Sequence, residues 1–495
     1  MMKLNLSYFL PELVLIGTIF ALFATDLLSG LKKSSCNSIY PRIALAGFAG
    51  MMVANYLTAG LAPAHFFSGM VTFDAMAHFF KYLFATAGLL GVSLSQNSPE
   101  VEGMDQSSYY TLLTALVLGM SLLATSNHLL MIYLSLEIVS ILSYILTGYT
   151  RGVRRSSEAA LKYVIYGGVA SGIMAYGISL LYGLTGTMDL PTIAAFLKAN
   201  PVSRAPLYLS VLLMMAGFGY KIASFPFHAW CPDVYEGAPT PFTAFLSIGP
   251  KAAGFAILIR FFWTALTTQA GDASFADIKL TGWPEMMALL SMATMTIGNL
   301  AALVQHNAKR LLAYSSIAHA GYMLMGFAAL NQESLSAILF YMVVYIIMNS
   351  GTFLVVILLS NQFGVEDIED YKGLSRRGGL GLFMAFAMAI FLFSLTGIPP
   401  MAGFAGKFYL FGAVIRSGRY GLALVGVLNS VVSLYYYVRI IKYMFFDEPT
   451  DERQILRPAF QHSVVLSGLA VLTLYFGLFW NHLAQVVIRS SGLYY

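Results

Sequence analysis

Three lysines occur in stretches of sequence where a positive charge is costly. Lys221 lies inside an apolar run and is followed closely by Pro226, Lys407 follows Pro399, and Lys251 lies in another apolar run between these two sites. A cation in hydrocarbon carries a large free-energy penalty, and a proline removes a backbone hydrogen bond that lipid cannot replace. Such residues belong in a protein interior or a water-filled cavity, where an amine can bind and release a proton.

Glu137 is a carboxylate near the middle of an apolar run, and no turn signal flanks it. At 1.5 Å per residue it would lie about 12 Å below the membrane surface, so it needs a partner or a proton. A pair of Glu137 and Lys221 would hold the proton on the lysine, and separation of the pair would let Lys221 pass it towards Lys251. The alternative is that these charges are paired only to fix helix packing.

His228, His306 and His319 are further candidates for proton chemistry. His319 is embedded among small residues in Ser-Ser-Ile-Ala-His-Ala-Gly-Tyr, a setting that suits either a helix–helix contact or a proton carrier. The sequence has no nucleotide-binding loop, Rossmann glycine pattern, metal-ligand cluster or nucleophile constellation. The two cysteines, Cys36 and Cys231, form no redox or metal pattern and are interpreted as isolated thiols.

The elements that must position these residues are membrane helices. The chain is 58% hydrophobic and 10% charged, and its apolar residues come in long runs without polar faces, which excludes a soluble protein with a large core. The net charge of +5 is modest and dispersed, so nucleic-acid binding is not expected. We predict an all-α polytopic membrane protein with about 14 transmembrane helices.

A faint internal repeat accompanies these helices. The proline breaks at Pro226 and Pro399 are 173 residues apart, and Tyr144–Tyr149 resembles Tyr322–Phe327 at a spacing of 178 residues. Five predicted spans separate the members of each pair, so the copies would be inverted across the membrane, a transporter feature. We predict an N-terminal three-helix segment (1–108), two inverted five-helix repeats each with a broken helix (109–265 and 280–446), and a C-terminal helix (447–495).

The basic loops predict the orientation of the chain. Every second loop is enriched in lysine and arginine, which places both termini on the non-cytoplasmic side. These loops contain Lys32, Lys33 and Arg42; Arg151, Arg154 and Arg155; Lys309 and Arg310; Lys372, Arg376 and Arg377; and Arg453 and Arg457. The loop 95–108, with Glu100, is expected to be simply solvated.

The sequence resembles the antiporter-like membrane subunits of respiratory complex I over nearly its whole length. The resemblance is strongest in the run Lys-Ile-Ala-Ser-Phe-Pro-Phe-His-Ala-Trp-Cys-Pro-Asp-Val-Tyr-Glu-Gly-Ala-Pro-Thr-Pro from Lys221 to Pro241. The Asp-Val-Tyr-Glu-Gly portion separates the chain from the longer subunits L and M of that family and from standalone sodium/proton antiporters. The functional residues of the family correspond to Glu137, Lys221, Lys251 and Lys407, whereas His306 and His319 match less sharply.

This resemblance implies a proton-pumping subunit, without a redox centre of its own, of a proton-translocating NADH:quinone oxidoreductase. NAD(H), FMN, iron–sulfur clusters and quinone would be bound by partner subunits, and the chain would contact M-like and K-like membrane neighbours and lipids. A bacterial inner membrane is the expected location, with thylakoid or organelle membranes as alternatives. The alternative function is that of a subunit of a multisubunit sodium/proton antiporter, which would share the broken helices and the lysines.

Overall fold

A computed structural model describes residues 6–29, 38–269, 275–278, 282–449 and 459–492. Of the residues singled out above, Cys36, Lys32, Lys33, Arg453 and Arg457 lie outside these ranges. The described part consists mainly of α-helices, with two short antiparallel hairpins.

The helices follow one another in four groups. The N-terminal segment contains α1 (Leu10–Ser29), α2 (Ile39–Thr58), α3 (Ala75–Ser95) and the short α4 (Pro99–Glu102). The second group contains α5 (Gln106–Thr125), α6 (Leu129–Thr147), α7 (Arg154–Thr185), α8 (Leu190–Ala199), α9 (Arg204–Ile222), α10 (Trp230–Gly237) and α11 (Thr240–Ala265). The third contains α12 (Trp283–Leu303), α13 (Ala308–Ala329), α14 (Gln332–Phe363), α15 (Gly378–Thr396), α16 (Ala402–Arg416) and α17 (Tyr420–Phe445), and the last contains α18 (Phe460–Leu478) and α19 (Trp480–Ser490).

Four short strands form the hairpins. Strand β1 (Ala64–Phe66) pairs with β2 (Val71–Phe73), and β3 (Thr267–Gln269) pairs with β4 (Phe275–Asp277). The first hairpin has Phe66 opposite Val71 and joins α2 to α3, whereas the second follows α11.

The membrane architecture predicted from the sequence is confirmed, but the count of fourteen spans is not established. Within the described ranges, twelve helices are long and apolar enough to cross a membrane. Helices α2 and α13 have 20 and 22 residues and are long enough, but they are less hydrophobic than these twelve. Helix α13 is buried over almost its whole length, so other helices surround it and it does not need a lipid-compatible surface.

Both predicted helix breaks are present. Helix α9 ends at Ile222, after which Ala223 has the left-handed conformation with φ 57°, and α10 begins at Trp230. Helix α15 ends at Thr396, Gly397 follows with φ 92°, and α16 begins at Ala402. A left-handed residue stops a helix because the next backbone N–H turns away from the helical hydrogen-bond ladder.

The second and third groups repeat the same order of elements. Each has two helices, then a helix of 32 residues, a broken helix and one further long helix. Helix α8 has no counterpart in the third group. This order agrees with two inverted five-helix repeats, and the division of the chain at residues 108, 265, 280 and 446 stays a prediction.

Three of the basic loops meet at one end of the bundle, here called the basic face (residues 150–155, 304–310 and 364–377). The loop after α12 pairs with the loop after α14 through the bridge of Asn307 with Asp367. The Glu366 carboxylate forms an ion pair with Nζ of Lys309 at 2.7 Å and lies 3.8 Å from Nη1 of Arg155. Three of the five loops that the charge bias assigns to one side therefore lie together, and the side on which the termini lie stays a prediction.

The expectation that Glu100 is only solvated was wrong. One Glu100 carboxylate oxygen accepts a hydrogen bond from the backbone N–H of Thr240 at 2.7 Å, at the first residue of α11. A carboxylate at this position satisfies an unpaired N–H group and complements the helix dipole. Glu100 thus stabilises the start of the helix that carries Lys251.

Candidate functional site: a chain of buried lysines

Lys221 occupies the last turn of α9 and is 3% exposed. Its ammonium group donates a hydrogen bond to the Ser140 hydroxyl on α6, with Nζ and Oγ 3.2 Å apart. The lysine lies in the last turn before the helix break, and its amine faces a polar side chain of a neighbouring helix and not lipid.

Glu137 lies one turn before Ser140 on α6 and is half-buried. Its carboxylate accepts a hydrogen bond from the Ser171 hydroxyl of α7. Glu137 and Lys221 do not form an ion pair within 4.0 Å. The structure therefore places them on adjacent helices, facing the same region but separated, and their direct pairing stays a prediction.

Lys251 is 3% exposed and directly follows Pro250 within α11. Its Nζ donates a hydrogen bond to the Ser316 backbone carbonyl at 2.9 Å and also contacts the Ser316 hydroxyl. Ser316 belongs to α13, so this lysine reaches from the first set of repeated helices into the second.

Gly254 brings α11 against Lys221. A Cβ atom at this glycine would lie 2.7 Å from Cγ2 of Ile222 and 3.3 Å from Cγ of Lys221. The missing side chain allows the helix that carries Lys251 to touch the aliphatic stem of Lys221. The two lysines are thus on helices in direct contact. On α11, Lys251 lies about one turn before Gly254, the residue that contacts Lys221.

His319 is 1% exposed and lies three residues after Ser316, on the same side of α13. Its Nδ1 is 2.6 Å from the Tyr341 hydroxyl and its Nε2 is 3.2 Å from the Tyr437 hydroxyl. Both ring nitrogens therefore have a hydroxyl partner that can either donate or accept a proton. Its ring also lies 5.7 Å from that of Tyr322, centroid to centroid.

Lys407 is 4% exposed and lies in the second turn of α16. Its Nζ donates to the Thr396 carbonyl at 2.7 Å and to the Ser430 hydroxyl at 3.2 Å, and it stands 4.5 Å from the centroid of the Tyr322 ring. The Thr396 carbonyl can accept this bond because α15 ends there and its last carbonyls have no helical partner.

A series of buried side chains lies between Lys251 and Lys407. Lys251 donates to Ser316, which lies one turn before His319 on α13. The rings of His319 and Tyr322 are neighbours, and the Lys407 ammonium group stands over the Tyr322 ring. Helices α12 and α17 add a further polar group next to Tyr322: the Asn299 amide donates to the Tyr322 hydroxyl at 3.1 Å and accepts from the Tyr436 hydroxyl at 2.9 Å. We call the series from Lys251 to Lys407 the central polar chain.

The other two histidines lie outside the central polar chain. His228 is in the turn between α9 and α10, half-buried, and its Nδ1 has no hydrogen-bond partner among the described residues. The His306 side chain is 69% exposed on the basic face, 3.6 Å from Glu369. The two histidines that match the family less sharply thus differ in environment: His319 is buried in the core and His306 is exposed to solvent.

A cavity of about 370 Å³ lies next to Lys407, between α16 and α17. Its walls include Phe408 and Val431, both 63% exposed on the outside of the bundle. The inner part of the cavity is bounded by Lys407 and Ser430. Lys407 therefore lies behind an apolar opening that faces lipid or a neighbouring protein.

A cluster of charges lies on the basic face, next to a polar cavity of about 200 Å³. Arg310 of α13 contacts Asp233 at 2.7 Å and Glu236 at 2.8 Å, both on α10. Lys162 of α7 contacts Asp233 at 2.7 Å and Glu158 at 2.9 Å. The Asp-Val-Tyr-Glu-Gly segment thus supplies the carboxylates that join the two sets of repeated helices on this face.

Sequence reasoning missed two buried ion pairs. Lys81 of α3 lies 2.8 Å from Glu12 of α1, and Arg260 of α11 pairs with Asp74 at the start of α3. Their partners are far apart in the chain, so spacing gives no indication of the pairing. The signal that could have found them is a charge inside an apolar run, the same signal that identified Lys221.

Comparison with known proteins agrees with this arrangement. Residues 126–433 match the family model described as "NADH:quinone oxidoreductase/Mrp antiporter, TM". NADH-quinone oxidoreductase subunit N 2 of Sorangium cellulosum (strain So ce56) is 45% identical, over 99% of this chain and 98% of that protein. A chain of respiratory complex I from Thermus thermophilus with bound aureothin is 31% identical, covers 96% of this chain and 98% of its own, and has a TM-score of 0.78.

A chain of the Mrp complex from Dietzia sp. DQ12-45-1b has a TM-score of 0.82 but only 20% identity, over 99% of this chain and 97% of that one, and so shares the fold alone. The full-length relatives and the matched family model decide the assignment. The chain is an integral membrane protein that belongs to the family of NADH-quinone oxidoreductase subunit N, among the antiporter-like subunits of complex I.

Proposed function

We propose that this chain translocates protons along a relay of Glu137, Lys221, Lys251 and Lys407 within a complex I type quinone oxidoreductase. The observation that supports the proposal is the central polar chain, a series of buried side chains that lie between Lys251 and Lys407 and include His319. In this relay His319 would carry the proton between the two lysines, through the hydroxyl groups that contact its ring.

The hydrogen-bond partners of the lysines support this role. Lys221, Lys251 and Lys407 donate to hydroxyl or carbonyl oxygens, and none of the three has a carboxylate within 4.0 Å among the described residues. A neutral oxygen stabilises an ammonium group less than a carboxylate does, so the proton is not trapped. Approach of Glu137 would hold the proton on Lys221, and its withdrawal would release the proton towards Lys251.

The energy for this cycle would come from quinone reduction in other subunits. NAD(H), FMN, iron–sulfur clusters and quinone would be bound there, and this chain would contribute no redox step. The relay would receive the energy as a change in the separation of Glu137 and Lys221, two residues held on different helices.

The chain would lie in a bacterial inner membrane with the basic face in the cytoplasm and both termini on the opposite side. Protons would be taken up from the cytoplasm near Lys221 and Lys251. The opening beside Lys407 would face the M-like neighbour, K-like and lipid contacts would cover other outer helices, and Lys407 would pass its proton to that neighbour or to the exit.

Replacement of the first two relay residues tests this function. We expect Lys221→Ala and Glu137→Ala to lower proton pumping and coupled quinone reduction while the complex still assembles, because each removes a protonatable group and leaves the helices intact. The measurement is proton uptake by proteoliposomes that contain the whole complex. His306→Ala is the control, since this histidine is exposed. Full activity in both relay variants would refute the assignment.

A sodium/proton antiporter subunit is the alternative function, because the Mrp chain shares the fold. Cation/proton exchange by the isolated chain in proteoliposomes would favour it. Copurification of quinone-reducing peripheral subunits with this chain would favour the oxidoreductase.

A further inference from the structure

The ion pair of Arg260 and Asp74 lies outside the central polar chain and is almost completely enclosed. Both side chains are 1% exposed, and both guanidinium ends contact the carboxylate, with Nη2 2.9 Å from Oδ1. The same Nη2 also donates to the Ala124 carbonyl at 3.0 Å, near the end of α5. Asp74 in turn accepts a hydrogen bond from the Ala77 N–H at 2.8 Å and so caps α3.

A buried pair of this kind contributes more to geometry than to stability. Removal of two charges from water is costly, and a two-point contact between arginine and carboxylate fixes the relative orientation of the helices that carry them. Arg260 therefore joins the end of α11 to the start of α3 and the end of α5 in one arrangement. We call this contact the α11 clamp.

Helix α11 can bend at Pro250, directly before Lys251, whereas the α11 clamp lies after Lys251. Pro250 has no N–H group, so the hydrogen bond to the carbonyl four residues earlier is missing, and such positions are where helices bend. The part of α11 after Pro250 carries Lys251 at its beginning and Arg260 nine residues later, about 14 Å along the axis. Contacts of this second part set its orientation relative to the first.

The second part of α11 also carries Gly254, which touches Ile222 and the stem of Lys221. A tilt of this part about Pro250 would move Gly254 relative to the stem of Lys221 and would swing the side chain of Lys251, which changes the separation of the two amines. The α11 clamp holds the same part of the helix at Arg260, near its other end, and so opposes that tilt.

We propose that Asp74 and Arg260 are positioning residues for the relay: they hold the second part of α11 so that Lys251 stays within reach of Lys221. The inference rests on the proposed function of these two lysines. It gives the N-terminal three-helix segment a role in proton transfer through α3, although none of its residues belongs to the relay.

The test uses the assembled complex in proteoliposomes and measures a pumping ratio, defined as the initial rate of proton pumping divided by the amount of assembled complex. The double variant Asp74→Asn, Arg260→Met removes the clamp without leaving a buried unpaired charge. We expect it to lose most of the pumping that Lys251→Ala loses. Arg260→Lys, which keeps the charge but not the two-point contact, should give an intermediate ratio.

The matched control is the double variant Glu12→Gln, Lys81→Met. It removes an ion pair that is equally buried, with side chains 5% and 0% exposed, but that joins α1 to α3 and not to α11. We expect this variant to pump at the normal ratio. A general loss of stability would affect the two double variants alike.

Three outcomes would overturn the proposal: a normal ratio in the assembled clamp variant, equal losses in the clamp and control variants, or a normal ratio in Arg260→Lys if the clamp variant does not assemble. The failure of the proposed function gives a different result. In that case Lys251→Ala itself pumps at the normal ratio.

Discussion

At the scale of single residues, what distinguishes the relay lysines from other charges is the chemistry of their partners. Lys309 contacts a carboxylate at 2.7 Å, whereas Lys251 and Lys407 contact neutral oxygens. The sequence pointed to these buried lysines because a charge in an apolar run is informative by itself, and their role in a relay stays a proposal. It could not identify these partners, because Ser316 and Thr396 are ordinary helix residues whose role depends on which helices are neighbours.

His319 allows the carrier role to be separated from a simple helix–helix contact. Glutamine can keep hydrogen bonds to the Tyr341 and Tyr437 hydroxyls but cannot carry a proton. We expect His319→Gln to assemble normally and to pump at least about tenfold more slowly, as is typical of a lost proton-transfer group. Proton pumping by the reconstituted complex is the measurement. A normal rate would show that His319 serves only in packing.

At the scale of elements, the ends of the helices determine where the lysines can bond. The breaks at Pro226 and Pro399 could be predicted, since proline is a direct sequence signal. The residue that ends α15 could not, because glycine occurs 44 times in the chain and only some glycines have positive φ. Gly397 is one of these, and its Cα hydrogen faces the side chain of Lys407.

The glycines at the two ends of α15, Gly378 as its first residue and Gly397 directly after its last, provide a matched comparison. Gly397, with φ 92°, has Cδ of Lys407 2.8 Å from the position of an added Cβ, whereas Gly378, with φ 84°, has nothing within 4 Å. Alanine at either position carries backbone strain of about 1–2 kcal/mol. We expect both variants to lower the melting temperature of the purified complex, but only Gly397→Ala to lower pumping. Equal pumping in both would mean that the bond between Lys407 and Thr396 does not matter.

At the scale of the whole molecule, two kinds of contact join the repeated sets of helices. One consists of buried hydrogen bonds, among them those of Lys251 with Ser316 and of Asn349 with Ser247, and the other is the charge cluster of Arg310 with Asp233 and Glu236 on the basic face. The sequence could predict the order of the helices from composition and repeat spacing. It could not predict these contacts, because they depend on how the two sets of helices pack in three dimensions.

The charge cluster should stabilise the assembled complex in a salt-dependent way. The Arg310 side chain is 28% exposed and contacts two carboxylates, so it should contribute about 1 kcal/mol at low ionic strength. We expect Arg310→Gln to lower the melting temperature in low salt and to have a smaller effect in 1 M salt. Arg416→Gln is the control, because Arg416 and its partner Glu333 are 59% and 57% exposed. A salt-independent loss in Arg310→Gln would argue against an electrostatic contribution.

The polarity of α13 constrains the order in which this chain can be built into a membrane. Helix α13 carries His319 and other polar residues and is less apolar than the helices that flank it, α12 and α14. For a helix of this composition, transfer by itself from the insertion machinery into lipid releases little free energy. We therefore expect α13 to enter the bilayer together with α12 and α14, so that the helix that carries Ser316 and His319 inserts only with its neighbours.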